Sequence, residues 1–177
     1  MTILHDRDAS QLLVVDLQQR FLPHLHEPDA AIAAVVKLVA AARLFDVPIV
    51  VTEQNPAKLG PTVEPVREAL GDDYRPIAKQ SFSADEHVIA GRPQTVICGI
   101  ETHVCVLQTA LELVGSDLMA TVVADACTSR DAANHSAAIP RLMTGGVTVA
   151  TSEMVLFEWC RTADDPSFRE LSRIVRQ

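Results

Sequence analysis

The stretch QTVICGIETHVCVLQTALELV (94–114) decides how this chain folds. Residues 94 to 99 form a short apolar run closed by glycine, the pattern of a strand buried on both faces of a parallel sheet. From Thr102 to Val114 the spacing changes, and Val106, Ala110 and Leu113 fall on one helical face. A strand running straight into a helix is one unit of an α/β fold, and the unit recurs on both sides. Upstream, QLLVVD (11–16) reads as the first strand. Pro28 and Asp29 then open a helix, because proline is tolerated at the first position and an acid favours the positive end. Ile32, Val35, Val36 and Val39 supply its apolar stripe, Asp46 ends it, and PIVVT (48–52) is the second strand. A short helix over 66–70 and a third strand near 75–79 follow.

Downstream, 120–124 reads as a fifth strand, 131–143 as a helix and 147–150 as a sixth strand. Pro140 predicts a kink in that helix, because it removes a backbone donor. Gly145 and Gly146 close it. A last helix is expected from about Pro166 to Val175. Strands alternating with helices predict a three-layer α/β/α domain over 1–177, with a doubly wound, six-stranded, mostly parallel sheet. The length of 177 residues fits one domain, at about 150 residues each.

Composition narrows the function. Fifteen Lys and Arg against 23 Asp and Glu give a net charge of −8, with no basic block to bind nucleic acid or an anionic membrane. Aromatics at 4% offer no base-stacking platform. The longest apolar stretch, 30–45, is interrupted by Lys37 and Arg43 and is shorter than the ~20 residues a bilayer requires. The four cysteines, Cys98, Cys105, Cys127 and Cys160, show neither a CxxC pair nor metal-finger spacing. They are expected to be reduced thiols in a cytoplasmic protein.

Ligands of open parallel sheets bind outside the carboxyl ends of the strands. Three residues expected there can do chemistry together. Asp16 follows the first strand, and read alone it serves equally as a cap. Lys79 ends the third strand, where a solvated edge charge is the ordinary reading. Cys105 lies in the first turn of the helix after the fourth strand. Unpaired backbone donors at such a position lower a thiol's pKa, although a buried cysteine is as often a small core hydrophobe. An acid, a base and a thiol converging from three strands make a nucleophile with its proton acceptor and a stabilising positive charge.

The segments VVDLQQRF (14–21), IAKQSFSA (77–84) and VICGIETHVCV (96–106) resemble the isochorismatase-like cysteine hydrolases, and the likeness runs to about Ala150. The family includes isochorismatases, nicotinamidases and N-carbamoyl amide hydrolases. The resemblance implies a catalytic triad of Asp16, Lys79 and Cys105. It also implies a cis peptide between Ile100 and Glu101, with the backbone N–H groups of Glu101 and Cys105 aimed at a developing oxyanion. Dimers or higher homo-oligomers, whose neighbouring subunits shape the pocket, are implied as well. The expected activity is hydrolysis of a C–N or related bond in a small molecule through a thioester-type intermediate. The alternatives are isochorismatase chemistry, with vinyl-ether hydrolysis carried by the Asp, and a non-catalytic small-molecule-binding module. A redox role for Cys105 would require a resolving partner, and Cys98 is poorly placed for it.

Departures from the family pattern narrow the subclass. Nicotinamidases of this family build a metal site on Asp-x-His after the second strand, where this chain reads Thr52-Glu53-Gln54-Asn55. No metal and no cofactor are therefore expected. His24 and His26 form an H-x-H without a third ligand at suitable spacing. His103 is expected to face a neighbouring loop. Gln18, Phe21, Phe82 and Arg130 are expected to line the substrate pocket, and Trp159 to belong to a subunit interface. The 53–65 segment reads as a long surface loop, and such loops are usually functional.

Overall fold

A computed structural model describes residues 4–177. The first three residues of the expected domain lie outside the described part. The sheet strands are β1 (Ser10–Val15), β2 (Ile49–Gln54), β3 (Ile77–Lys79), β4 (Gln94–Ile100), β5 (Met119–Thr128) and β6 (Thr148–Ala150). Their order is β3-β2-β1-β4-β5-β6, and every pairing is parallel. The helices are α1 (Pro28–Leu44), the single turn α2 (Pro56–Leu59), α3 (Glu64–Leu70), α4 (Leu107–Gly115), α5 (Ala132–Thr144), α6 (Ser152–Cys160) and α7 (Phe168–Val175).

Alternation along each strand divides the core. Leu12 and Val14 of β1, with Val96 and Cys98 of β4, face a layer made by α1, α3, α6 and α7. Leu13 and Val15, with Ile97, face α4 and α5. Both faces are covered, which is why β1 and β4 are apolar at every central position and lack a polar alternate. Among the described residues no helix is long and apolar enough to cross a membrane.

Three sequence expectations change. The helix α6 was not visible in the pattern, because SEMVLFEWC carries apolar residues around its circumference. Its start is marked instead by Thr151, whose hydroxyl accepts from the Met154 N–H. Trp159 on α6 does not belong to a surface: it is 1% exposed and packs in the core with α1 and α7. The 53–65 segment is not a free surface loop. It contains α2, and Thr62 and Val63 are buried. The Glu53 carboxylate holds it, accepting from the Thr62 N–H at 2.7 Å and the Thr62 hydroxyl at 2.9 Å.

The topology sets the site. The helix after β1 packs on one face and the helix after β4 on the other, so the direction in which the chain winds across the sheet reverses between these two parallel neighbours. The carboxyl ends of such neighbouring strands are the place where these sheets bind ligands.

Candidate active site

Asp16 is the first residue past β1 and is 1% exposed, with a left-handed backbone (φ 50°). Aspartate tolerates that conformation better than most residues, but it remains a strained position of the kind found at functional sites. The turn directs the carboxylate toward β2 and β3. The Thr52 hydroxyl donates to Asp16 Oδ1 at 2.8 Å, and the Lys79 ammonium donates to Oδ2 at 2.6 Å. Lys79 is 5% exposed and also donates to Gln54 Oε1 at 2.9 Å and to the carbonyls of Ser81 and Phe82 at 3.1 and 3.0 Å. This lysine is no solvated edge charge. A buried ion pair is retained only when its remaining hydrogen bonds are satisfied, and here neighbouring strands and the 81–82 backbone satisfy them.

Cys105 arrives from the other half of the sheet. Gly99 has φ 117°, and a Cβ there would lie 2.1 Å from the Val15 carbonyl oxygen, so only glycine lets β4 approach β1 this closely. The next peptide, Ile100–Glu101, is cis. Residues Thr102–Val106 then form one π-helical turn before α4 begins at Leu107. Such turns inside helices are frequent at functional sites. Cys105 is 7% exposed, and its thiol lies within electrostatic reach of the Asp16 and Lys79 side chains. The Thr109 hydroxyl donates to the Cys105 carbonyl at 2.7 Å and accepts from the Ala84 N–H at 2.9 Å, which ties α4 to the 81–84 segment.

The thiol's acidity runs opposite to expectation. Burial, followed by the Asp16 charge, pushes the Cys105 thiol up from 9.0 to about 12, while Lys79 pulls it down. In the resting protein Cys105 is therefore a neutral thiol. A helix start is too weak to outweigh desolvation beside a carboxylate.

The other expected pocket residues divide. Gln18 is fully buried, and its amide spans Gln54 N–H, Gln54 O and Gly60 O, which braces the 53–65 segment. Phe21 packs against the α1-side core. Phe82 is 53% exposed, directly beyond the backbone that caps Lys79. Arg130 extends into solvent while its N–H and Nε both donate to Glu101 Oε1 at 3.0 Å. His103 is paired with Ser129 Oγ at 3.0 Å. Sequence reasoning gave no role to Thr52 and Gln54, which hold the acid and the base. Their signal was their place at the end of β2, where Thr52 pairs with Val15, the residue before Asp16, and Gln54 pairs with Lys79. Among the described residues no cluster of three or more His, Cys, Asp or Glu could hold a metal ion, and all four cysteines are free and buried.

Residues 10–154 match the isochorismatase domain family. The chain belongs to that family. Its relatives include isochorismatase domain-containing protein 2A of Mus musculus, 38% identical over 176 residues, covering 96% of this chain and 84% of the mouse protein. Among solved structures, the MAR1 ribonuclease of Caenorhabditis elegans superposes with a TM-score of 0.94 at 31% identity, over 98% of this chain and 93% of the other. The YcaC gene product of Escherichia coli, described as an octameric hydrolase of unknown specificity, shares the fold. Its TM-score is 0.85 at 24% identity, over 99% of this chain and 98% of that one. The isochorismatase-like fold accounts for the doubly wound sheet and for a hydrolase scaffold.

Proposed function

We propose that this protein is a cysteine hydrolase that cleaves a C–N or related bond of a small molecule using Asp16, Lys79 and Cys105. One observation carries the reading: a carboxylate and an ammonium, both buried and paired at 2.6 Å, lie within electrostatic reach of a buried thiol. Asp16 accepts the Cys105 proton as the sulfur attacks the carbonyl carbon, so the proton moves within the site and no charge is created there. Lys79 compensates the thiolate, in keeping with its acidifying effect on the thiol. The backbone N–H groups of Glu101 and Cys105 hold the oxyanion. The tetrahedral adduct collapses, the C–N bond breaks, and Asp16 returns the proton to the leaving nitrogen. Asp16 then takes a proton from water, hydroxide adds to the thioester, and the acid and the free thiol are released.

The protein is expected in the cytoplasm as a homo-oligomer whose neighbouring subunits border the site; the octameric state of the E. coli structural neighbour supports the assembly alone. A second reading is favoured by the C. elegans neighbour, whose name describes a ribonuclease. A third, vinyl-ether hydrolysis by Asp16 alone, follows from the family name.

One experiment separates them. Small amides, carbamoyl compounds, isochorismate and a short RNA are offered to the wild type and to Cys105→Ala. Amide or carbamoyl turnover that disappears in the variant supports the proposal. Full turnover by Cys105→Ala sinks covalent thiol chemistry, and the substrate class consumed then names the reading that replaces it.

A further inference from the structure

The two strands behind the nucleophile are joined in two separate stretches. Gln94 to Ile97 pair with Met119 to Val122; the register then breaks, and Gly99 and Ile100 pair with Cys127 and Thr128. Between those stretches β4 advances two residues while β5 advances five, so β5 bulges and Asp125 leaves the ladder to cap the start of α6 through Ser152. The pairing nearest Cys105 is thus only two residues long. Past it, three consecutive side chains continue the connection to the segment after β5. Glu101 Oε1 accepts from both the N–H and Nε of Arg130 at 3.0 Å. Thr102 Oγ1 lies 2.9 Å from His135 Nδ1, and His103 Nδ1 lies 3.0 Å from Ser129 Oγ. The Glu101 carbonyl in turn accepts from the N–H groups of Val104 and Val106, on either side of Cys105.

Glu101 carries the most of this connection. It is 6% exposed and charged, so its position depends on its cationic partner. Hydrogen bonds between a carboxylate and a guanidinium are short and strong compared with neutral ones. Its own backbone begins the turn that ends in Cys105. We propose that the Glu101 carboxylate is a positioning residue: by gripping Arg130 it fixes the 101–105 turn and seats the Cys105 thiol against Asp16. Its side chain acts through the turn and needs no contact with substrate. This role rests on the triad reading given above, and its first test does not use turnover.

The charged groups felt by the Cys105 thiol are Asp16, Lys79 and Glu101. Burial, the Asp16 charge and the Glu101 charge itself hold the thiol proton. Glu101→Ala therefore eases ionisation through lost charge as well as through the released turn, whereas Arg130→Ala keeps that charge and isolates the turn. Iodoacetamide alkylation of Cys105, followed against pH, reads this directly. Glu101→Ala is expected to alkylate about tenfold faster at neutral pH, the change given by one pH unit in the thiol's titration. Glu101→Gln keeps an acceptor for the Arg130 N–H and is expected to fall between Ala and wild type. Arg130→Ala retains that N–H and is expected to resemble Glu101→Gln. Thermal unfolding of each variant checks that the chain remains folded. An alkylation profile for folded Glu101→Ala that superimposes on wild type overturns the proposal. With a substrate in hand, kcat is expected to fall by about 10²-fold with KM little changed, the loss typical of a misplaced reacting group. Equal losses in kcat/KM through KM alone would overturn it too. Full turnover by Cys105→Ala would defeat the triad reading, while the alkylation profile would still judge the grip of Glu101 on the turn.

Discussion

The two halves of the sheet deliver opposite kinds of chemistry to one buried site, and they are built differently. On the β1–β2–β3 side, Asp16 and Lys79 are both charged and both buried, and the hydrogen-bonding capacity around them is filled by Thr52, Gln54 and the backbone of Ser81 and Phe82. On the β4–β5 side, Cys105 is neutral at rest and stands on a π-helical turn reached through a broken strand pairing. The difference teaches where each cost lies. Buried charges require an over-determined cage, because an unpaired one costs several kcal/mol. A buried thiol carries no such cost, so its segment can be held by fewer, side-chain contacts and can be aimed by conformation. Proton transfer from Cys105 to Asp16 then moves charge within the cage and leaves the total unchanged.

Breaking the charged side gives the largest expected effect. Lys79→Ala leaves Asp16 as an uncompensated buried carboxylate, and a loss of about 3–5 kcal/mol is expected in urea unfolding. Removing both charges in Asp16→Leu with Lys79→Met is expected to recover most of that stability and no activity. If the double variant is no more stable than Lys79→Ala, the cage is not organised around the ion pair.

The junction between the halves comes next. Gly99→Ala forces a Cβ toward the Val15 carbonyl oxygen at a backbone angle that suits only glycine. Overpacking of this kind costs about 1–3 kcal/mol. The same unfolding measurement is expected to show that loss, with β4 displaced from β1 and activity lost with it. An unchanged midpoint would mean that the strands can separate there without harm.

The smallest effect in free energy is the most specific to the nucleophile's side. Cys105 holds its proton to about pH 12, and so does Cys127, which burial raises to about 12. In the unfolded chain these thiols ionise near the ordinary value of about 9. Their folded-state values are raised, so this part of the stability is fully present at neutral pH. It declines progressively as pH climbs from about 9 toward 12, because the unfolded state alone releases protons in that window. Unfolding midpoints measured at neutral pH and near pH 10 are expected to fall with Cys105→Ala falling less. An equal fall would show that Cys105 ionises normally in the folded protein.

Much of this was legible from residues alone, and the exceptions have physical causes. Strand and helix alternation gave the layers, because sheet strands buried on both faces are continuous apolar runs with turn residues between them. The meeting of Asp16 with Lys79 was legible because both close parallel strands at the carboxyl edge of the sheet, and the family resemblance added Cys105 to them. Three features were not. Helix α6 lacks a polar stripe, since Val155, Leu156, Trp159 and Cys160 are all interior while Met154 and Phe157 remain exposed. The bulge that carries β5 to Thr128 comes from a register break, which no single strand records. The thiol's acidity reversed direction because a helix start is local information, whereas burial against Asp16 arises only once β1 and β4 are side by side.

The lone tryptophan gains a use from its placement. Trp159 is interior to the α1, α6 and α7 layer, on the face of the sheet opposite α4. Its fluorescence is therefore a built-in gauge of the far layer, free of contributions from any other indole. Collapse of the domain reddens that emission, whereas a disturbance confined to the site leaves its colour unchanged. A single cuvette thus separates a damaged scaffold from a damaged site.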